Sequence, residues 1–278
     1  MPTRGEARAR ASERLRRAGV PTPALDADVL VAHVLGVPKE ALVAHPEVAL
    51  SDDEHDRLHR LIARREEGVP MAYLRGFKEF YGLRFAVDER VLVPRPETEA
   101  LVDAVRAHAA GRALTVVDVG TGSGAIAIAL AASEPRLRVI ATDVSRTALA
   151  VARANAEAHC VRIDFREGDL LAPLDERVDV VAANLPYLRD TDLDRLAGER
   201  TSLAFEPRVA TVAGSDGLAL VRRAIADLPR VLAAVGAAFF ECDPPQVAAI
   251  VALLSPLGPV AVSRDLAGLE RVAALRRT

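Results

Sequence analysis

Apolar positions follow two different periods along this chain. Through the first seventy residues they recur at helical spacing. Arg8 to Ala18 is built from Ala, Arg, Glu and Leu, all strong helix formers. Ala24 to Leu35 carries Leu25, Val29, Ala32 and Val34 at helical spacing. Pro38 suits the first position of another short helix. Ser51 or Asp52 can cap a helix through Arg65, with Leu58, Leu61 and Ile62 facing inward, and Gly68 and Pro70 end it. Residues 1–70 are therefore expected to form a small helical domain. Over 71–93 the pattern changes. Phe77, Phe80, Tyr81, Leu83, Phe85 and Val87 cluster around Gly82, which reads as a β-hairpin, and residues 71–96 are expected to form a hairpin linker. Pro94-Arg95-Pro96 forces an extended stretch, followed by a helix to about His108.

From Thr115 onward, strands and helices alternate. Strands are expected at Thr115–Val119, Val139–Thr142, Val161–Arg166, Val178–Ala183 and Ala234–Glu241. Helices are expected at Ala125–Ala132, Ser145–Ala158 (capped by Ser145) and Leu218–Leu232. Two alternating segments around Asp265–Gly268 add a terminal hairpin. This order predicts an α/β domain over 97–278 with a mostly parallel, doubly wound sheet and an antiparallel edge.

Composition narrows the class. The chain has 278 residues, 50% of them hydrophobic and 27% charged, with a net charge of −3 and a pI near 6.1. That is an ordinary soluble balance, and an acidic pI disfavours nucleic acid as a direct ligand. Cys160 and Cys242 are far apart and in no C-x-x-C pair, so neither a disulfide framework nor a zinc site is expected, and both read as ordinary, mostly buried thiols. His55 and His59 lack a third ligand, so no metal is expected. The Arg cluster at 8–17 reads as a solvated helix face. No run is long enough to span a bilayer, and the N-terminus lacks the apolar segment of a signal peptide. A cytoplasmic monomer with no membrane partner is expected.

Candidate chemistry begins at Val116-Val-Asp-Val-Gly-Thr-Gly-Ser-Gly-Ala125. Gly120, Gly122 and Gly124 let the backbone turn tightly and approach a ligand, at the strand ends where such sheets bind ligands. Asp143 ends the next strand, where a carboxylate can accept from two ribose hydroxyls. The loop also fits the G-x-G-x-x-A form of a dinucleotide fingerprint. The additional Gly124 and the preceding Asp118 favour S-adenosylmethionine. Asp169, in the loop after the third strand, falls where an adenine would be contacted.

The fourth strand runs into Asn184-Leu185-Pro186-Tyr187 at the same edge. An amide or aromatic amine nitrogen is a poor nucleophile because its lone pair is delocalised. Two acceptors, the Asn184 side-chain oxygen and the Leu185 carbonyl, can hold its two N–H groups and turn the lone pair out of plane. Tyr187 can stack on the flat group while Pro186 fixes the turn. Positioning would then supply most of the acceleration.

Together, the glycine loop, Asp143 and N-x-P-Y resemble the class I amino-methyltransferases. The stretch 65–102, containing P-R-P-E-T-E, resembles the linker of the HemK/PrmC release-factor glutamine methyltransferases, as do 205–218 and 265–272. The resemblance covers almost the whole chain. It implies a Rossmann-like class I S-adenosylmethionine-dependent methyltransferase domain behind a small N-terminal helical domain and a β-hairpin linker. It also implies methylation, at N5, of the glutamine in the Gly-Gly-Gln motif of class 1 peptide chain release factors. By position, Gly120, Thr121, Gly122, Ser123, Gly124 and Asp143 would hold S-adenosyl-L-methionine, with Asp169 and Leu170 beside the adenine and Asn184 bordering both ligands. Asn184, Leu185, Pro186 and Tyr187 would hold the glutamine, and Asn184, Pro186 and Tyr187 would carry catalysis. The helical domain and hairpin would help to recognise the protein substrate, and Pro94–Glu99 would border the site.

Two departures stand out. Leu185 occupies the family's usual first Pro, giving a form typical of rRNA adenine dimethyltransferases, and Glu241-Cys-Asp-Pro-Pro-Gln246 lacks the family's glycine. The alternatives are an N6-adenine methyltransferase on RNA or DNA, disfavoured by the acidic pI and the 65–102 stretch, and a non-catalytic binding module, disfavoured by the intact Gly120, Asp143, Asn184 and Tyr187.

Overall fold

The computed structural model describes residues 1–192 and 202–277, which fall into two compact units. The first takes in residues 1–76 and 202–205. It contains helices α1 (Arg4–Arg17), α2 (Pro23–Leu35), α3 (Glu40–Ala44), α4 (Asp52–Glu66) and α5 (Met71–Arg75). Thr3 with Glu6, and Ser51 with Glu54, form capping boxes at α1 and α4. Leu15, Leu30, Val31, Leu42, Leu50, Leu58 and Ile62 build its core, and Phe205 packs against it. The arginines of α1 are not simply solvated: Arg8 pairs with Asp28 at 2.7 Å, Arg14 holds Glu66 through two bonds, and Arg16 and Arg17 share Glu13. Buried Asp26 is matched by Arg65 at 2.8 Å and by the Thr22 hydroxyl at 2.9 Å. Helix α5 occupies residues expected to open the hairpin stretch. One short turn of helix, ended by Gly76 at φ +75°, leaves no period to read.

The second unit takes in residues 77–192 and 206–277. Strands β1 (Phe77–Phe80) and β2 (Leu83–Ala86) form an antiparallel pair across Tyr81-Gly82. Both turn residues have positive φ, +52° and +72°, as a two-residue hairpin turn requires. The remaining elements are α6 (Glu99–Ala109), β3 (Thr115–Val119), α7 (Ala125–Ser133), β4 (Arg138–Asp143), α8 (Arg146–Ala158), β5 (Asp164–Glu167), β6 (Val178–Ala183), α9 (Arg208–Thr211), α10 (Ala219–Val231), β7 (Leu232–Glu241), α11 (Val247–Leu254), β8 (Val260–Arg264) and β9 (Glu270–Arg276).

Among the described residues, seven strands form one sheet in the order β5-β4-β3-β6-β7-β9-β8. The first five are parallel; β9 and β8 close the edge antiparallel. Val117, Val119, Ile140, Val181, Ala183 and Phe240 are all fully buried, as a sheet covered on both faces demands. The chain leaves β3 towards β4 on one side and later fills β6 and β7 on the other. The sheet therefore reverses direction between β3 and β6, where open α/β sheets bind ligands. Helix α11 has no counterpart in the sequence reading. Its Val-Ala-Ala-Ile-Val-Ala-Leu-Leu is apolar all round and presents no stripe. Cys242 is buried but Cys160, in a left-handed turn at φ +55°, is exposed, contrary to expectation.

Candidate active site

At the reversal point lies a cavity of about 400 Å³, entirely within the second unit. The glycine loop forms one wall. Gly120 N–H and Thr121 N–H both donate to the Thr142 carbonyl, at 2.9 and 3.0 Å, which folds the loop over the end of β4. Gly120 has φ +73°, and a side chain there would come within 3.3 Å of Leu185 Cδ2, so glycine keeps the wall thin. Gly120 and Gly122 face the cavity; Thr121, Ser123 and Gly124 do not line it. Thr121 donates its hydroxyl to Asp118 at 2.6 Å, the Ser123 carbonyl accepts from Asn155 at 2.9 Å, and Gly124 lets α7 and α8 approach, with Ala152 Cβ 3.2 Å from any added Cβ. Asp118 also accepts from Ala127 N–H at 3.2 Å, and burial pushes its carboxyl up to about 7.

Asp143 stands at the end of β4 and lines the cavity. Its two oxygens accept from Gly122 N–H at 2.9 Å and Ser145 N–H at 2.8 Å. Desolvation raises its carboxyl above the ordinary range while these backbone bonds oppose the rise. Each oxygen retains lone pairs for further donors. Asp169 and Leu170 follow β5. Leu170 adopts φ +50°, with its carbonyl held by the Thr142 hydroxyl at 2.9 Å, and Asp169 forms an ion pair with Arg223 on α10. Both residues line the cavity.

The opposite wall is Asn184, Leu185 and Pro186, directly after β6. The Asn184 amide nitrogen donates to the Thr98 hydroxyl oxygen at 3.0 Å. Leu185 is buried against the core beneath the glycine loop. Tyr187 lies next to this wall, outside the cavity lining. Its carbonyl accepts from Gln246 Nε2 at 3.1 Å, and burial near Glu241 and Asp243 pushes its phenol up.

Several supports had no sequence signal of their own. Arg90, Val91 and Leu92 line the cavity from the segment after the hairpin, and Val209 and Ala210 from α9. Buried Glu206 accepts from Arg95 at 2.6 Å and from Val93 N–H at 3.4 Å, so it clamps the Pro94–Glu99 stretch. Asn155, buried on α8, bonds both backbone groups of Ala86 and the Ser123 carbonyl, which ties the hairpin's last residue to the glycine loop.

Comparison with known proteins decides the family. A model described as the PrmC N-terminal domain matches residues 6–76, and one described as the methyltransferase small domain matches 96–202. The release factor glutamine methyltransferase of Deinococcus radiodurans is 38% identical over 269 residues, 96% of each chain. The chain belongs to the release factor glutamine methyltransferase family. A second member, from Bordetella pertussis, is 40% identical over 256 residues, covering 90% of this chain and 94% of its own. The fold is that of class I methyltransferases. The T. thermophilus 16S rRNA N2 G1207 methyltransferase, solved with AdoMet and guanosine, shares it at TM-score 0.51 and 15% identity, over 73% of this chain and 50% of its own. The small-domain match spans the glycine loop, Asp143 and Asn184 to Tyr187.

Proposed function

We propose that this chain transfers a methyl group from S-adenosyl-L-methionine to the side-chain amide nitrogen (N5) of the glutamine in the Gly-Gly-Gln motif of class 1 peptide chain release factors, releasing S-adenosyl-L-homocysteine. One observation carries the reading: the thin glycine wall with Asp143 faces, across one cavity, an Asn184 amide whose nitrogen is already taken by Thr98. The family membership supports the substrate.

The residues fit the cofactor. Gly120 and Gly122 offer backbone without side chains, Asp143 offers lone pairs for hydroxyls, and Val144, Ala148, Leu170 and Leu220 offer an apolar surface for a flat heterocycle. When bound, S-adenosylmethionine would supply a methyl carbon on a sulfonium; the glutamine nitrogen would take it, the C–S electron pair would stay on sulfur, and the nitrogen would give up one of its two protons to solvent. The Asn184 oxygen and the Leu185 carbonyl accept from the two N–H groups of the glutamine amide and hold its plane. Pro186 fixes the backbone between them. Tyr187 covers the amide face, and its raised phenol stays neutral there. Oriented dipoles stabilise positive charge growing on the nitrogen. The helical unit and the hairpin contribute to recognition of the protein substrate. No helix of the described residues is long and apolar enough to cross a membrane; the chain acts as a cytoplasmic monomer without direct contact to nucleic acid.

Asp143→Ala tests the cofactor half. It removes a carboxylate and its charge-assisted bonds, each worth about 1.5–3 kcal/mol, so KM for S-adenosylmethionine rises about 10–100-fold while kcat at saturation changes little. An unchanged KM contradicts the assignment. Mass spectrometry of the Gly-Gly-Gln peptide after incubation with a purified release factor tests the substrate half, with methyl on the glutamine expected.

A further inference from the structure

The orientation of the Asn184 amide is set by residues outside the N-x-P-Y segment. An asparagine can present either its oxygen or its nitrogen to a ligand, and the two orientations fill nearly the same space. Only the oxygen can accept from a glutamine N–H. In the structure Asn184 Nδ2 points at Thr98 Oγ1, 3.0 Å away, which turns Oδ1 the other way. A hydroxyl can donate as well as accept, so this contact alone does not choose between the two orientations.

Glu241 makes the choice. It ends β7, and because Ala183 pairs with Phe240 in the parallel register, Glu241 stands beside Asn184, one strand over. Its carboxyl is buried next to the Thr98 hydroxyl, and its Oε2 has no partner among the described residues. Thr98 itself is buried in the turn Pro96–Thr98, held by its N–H to the Arg95 carbonyl at 3.1 Å. A carboxylate can only accept. An ionised Glu241 beside the Thr98 hydroxyl can take its single proton, which leaves Asn184 a lone pair to donate to.

We propose that Glu241 and Thr98 are positioning residues that lock the Asn184 amide with its nitrogen inward and its oxygen towards the substrate nitrogen. This rests on the reading of Asn184 as the acceptor for the glutamine amide. The lock holds only while Glu241 is ionised. A protonated Glu241 can donate to Thr98, Thr98 can then donate to Asn184 Oδ1, and the amide reverses. Burial pushes the Glu241 carboxyl up to about 7; the neighbouring Glu97 adds to the rise, while the Thr98 bond and Arg271 oppose it. The Tyr187 phenol and the Cys242 thiol also feel its charge, each pushed up by burial and by Glu241, and Asp243 follows two residues on. Thus kcat rises with pH through about 7 as Glu241 loses its proton.

The test is the full chain with S-adenosylmethionine and a release factor, assayed as wild type, Thr98→Val, Thr98→Ser and Glu241→Gln across roughly pH 5–9, about two decades on either side of that value. Thr98→Val is expected to lose at least about tenfold in kcat with KM for S-adenosylmethionine within about twofold, because the change touches transition-state orientation and leaves uniform binding alone. Thr98→Ser restores kcat to within about threefold, since it returns the hydroxyl. Glu241→Gln lowers kcat and removes the acid limb near pH 7, because a side-chain amide does not titrate. Asp118, also pushed up to about 7, and Asp143 remain in that variant, so a limb that persists belongs to them and overturns the proposal. A Thr98→Val enzyme at wild-type kcat, or a Thr98→Ser enzyme no better than Thr98→Val, overturns it too. Asn184→Ala in parallel separates the two readings: loss of transfer there, with Thr98→Val at full activity, leaves the acceptor role standing and removes the lock.

Discussion

Asn184→Ala is expected to lower kcat by about 10²–10³-fold, or about 3–4 kcal/mol, as the loss of one preorganised polar group at a reacting centre does. The substitution removes the oxygen that accepts from the glutamine N–H and leaves the Leu185 carbonyl as the lone acceptor. With one acceptor the amide plane can rotate, and its lone pair returns to conjugation. It also strips Thr98 of the 3.0 Å donor from Asn184. That is a small cost to folding, because the Thr98 hydroxyl still lies next to the Glu241 carboxyl. KM for S-adenosylmethionine stays within about threefold, since the glycine wall and Asp143 are untouched and uniform binding sets KM. Equilibrium binding of the cofactor measured beside single-turnover transfer distinguishes the two effects. A variant that binds normally and turns over at the wild-type rate removes Asn184 from the chemistry.

Gly217→Ala is the second large effect. Gly217 has φ +72°, and an added Cβ would stand 2.1 Å from the Tyr187 carbonyl oxygen and 2.7 Å from Gln246 Nε2. The first cannot yield cheaply; the second, the far end of a flexible side chain, can move only by giving up a hydrogen bond. The first is backbone directly after the Asn184-Leu185-Pro186 wall, and the second donates to that same carbonyl at 3.1 Å. The left-handed conformation costs about 1–2 kcal/mol and the lost hydrogen bond about 0.5–1.5 kcal/mol. The expected destabilisation is on the order of 2–4 kcal/mol, a shift of roughly 4–16 °C in Tm for a unit of this size. Tyr187 must also move, and a misplacement near 1 Å can cost about 10²-fold in rate. Gly111→Ala is the control. Gly111 shares φ +72° but has nothing within 4 Å of an added Cβ, so it isolates the backbone cost of about 1–2 kcal/mol and leaves kcat unchanged. If both variants lose the same stability and neither loses activity, the packing of Gly217 beneath Tyr187 has no functional weight.

The sheet was readable from the sequence for a physical reason. Strands such as Val178–Ala183 are buried on both faces, so they appear as unbroken apolar runs between turn signals. The cavity walls were readable because backbone constraints leave marks: positive φ at Gly120 and Gly122, and a polar Asn184 straight after a buried strand. The groups that hold those walls were not. Thr98 and Asn184 are 86 residues apart, and Arg95 and Glu206 are 111 apart. Nothing local distinguishes such a threonine or glutamate from one at the surface; only the register of β6 against β7 brings Glu241 level with Asn184. Thr121, Ser123 and Gly124 carry the opposite lesson. They sit inside a ligand-binding motif, yet their contacts run to Asp118, Asn155 and Ala152, where they fix the loop from behind.

The most direct measurement is transfer of labelled methyl from S-adenosylmethionine to a purified class 1 release factor, run beside its Gly-Gly-Gln variant with Gln→Ala and beside ribosomal RNA. Label is expected on the wild-type factor alone. Label on the RNA, or label retained by the Gln→Ala factor, contradicts it.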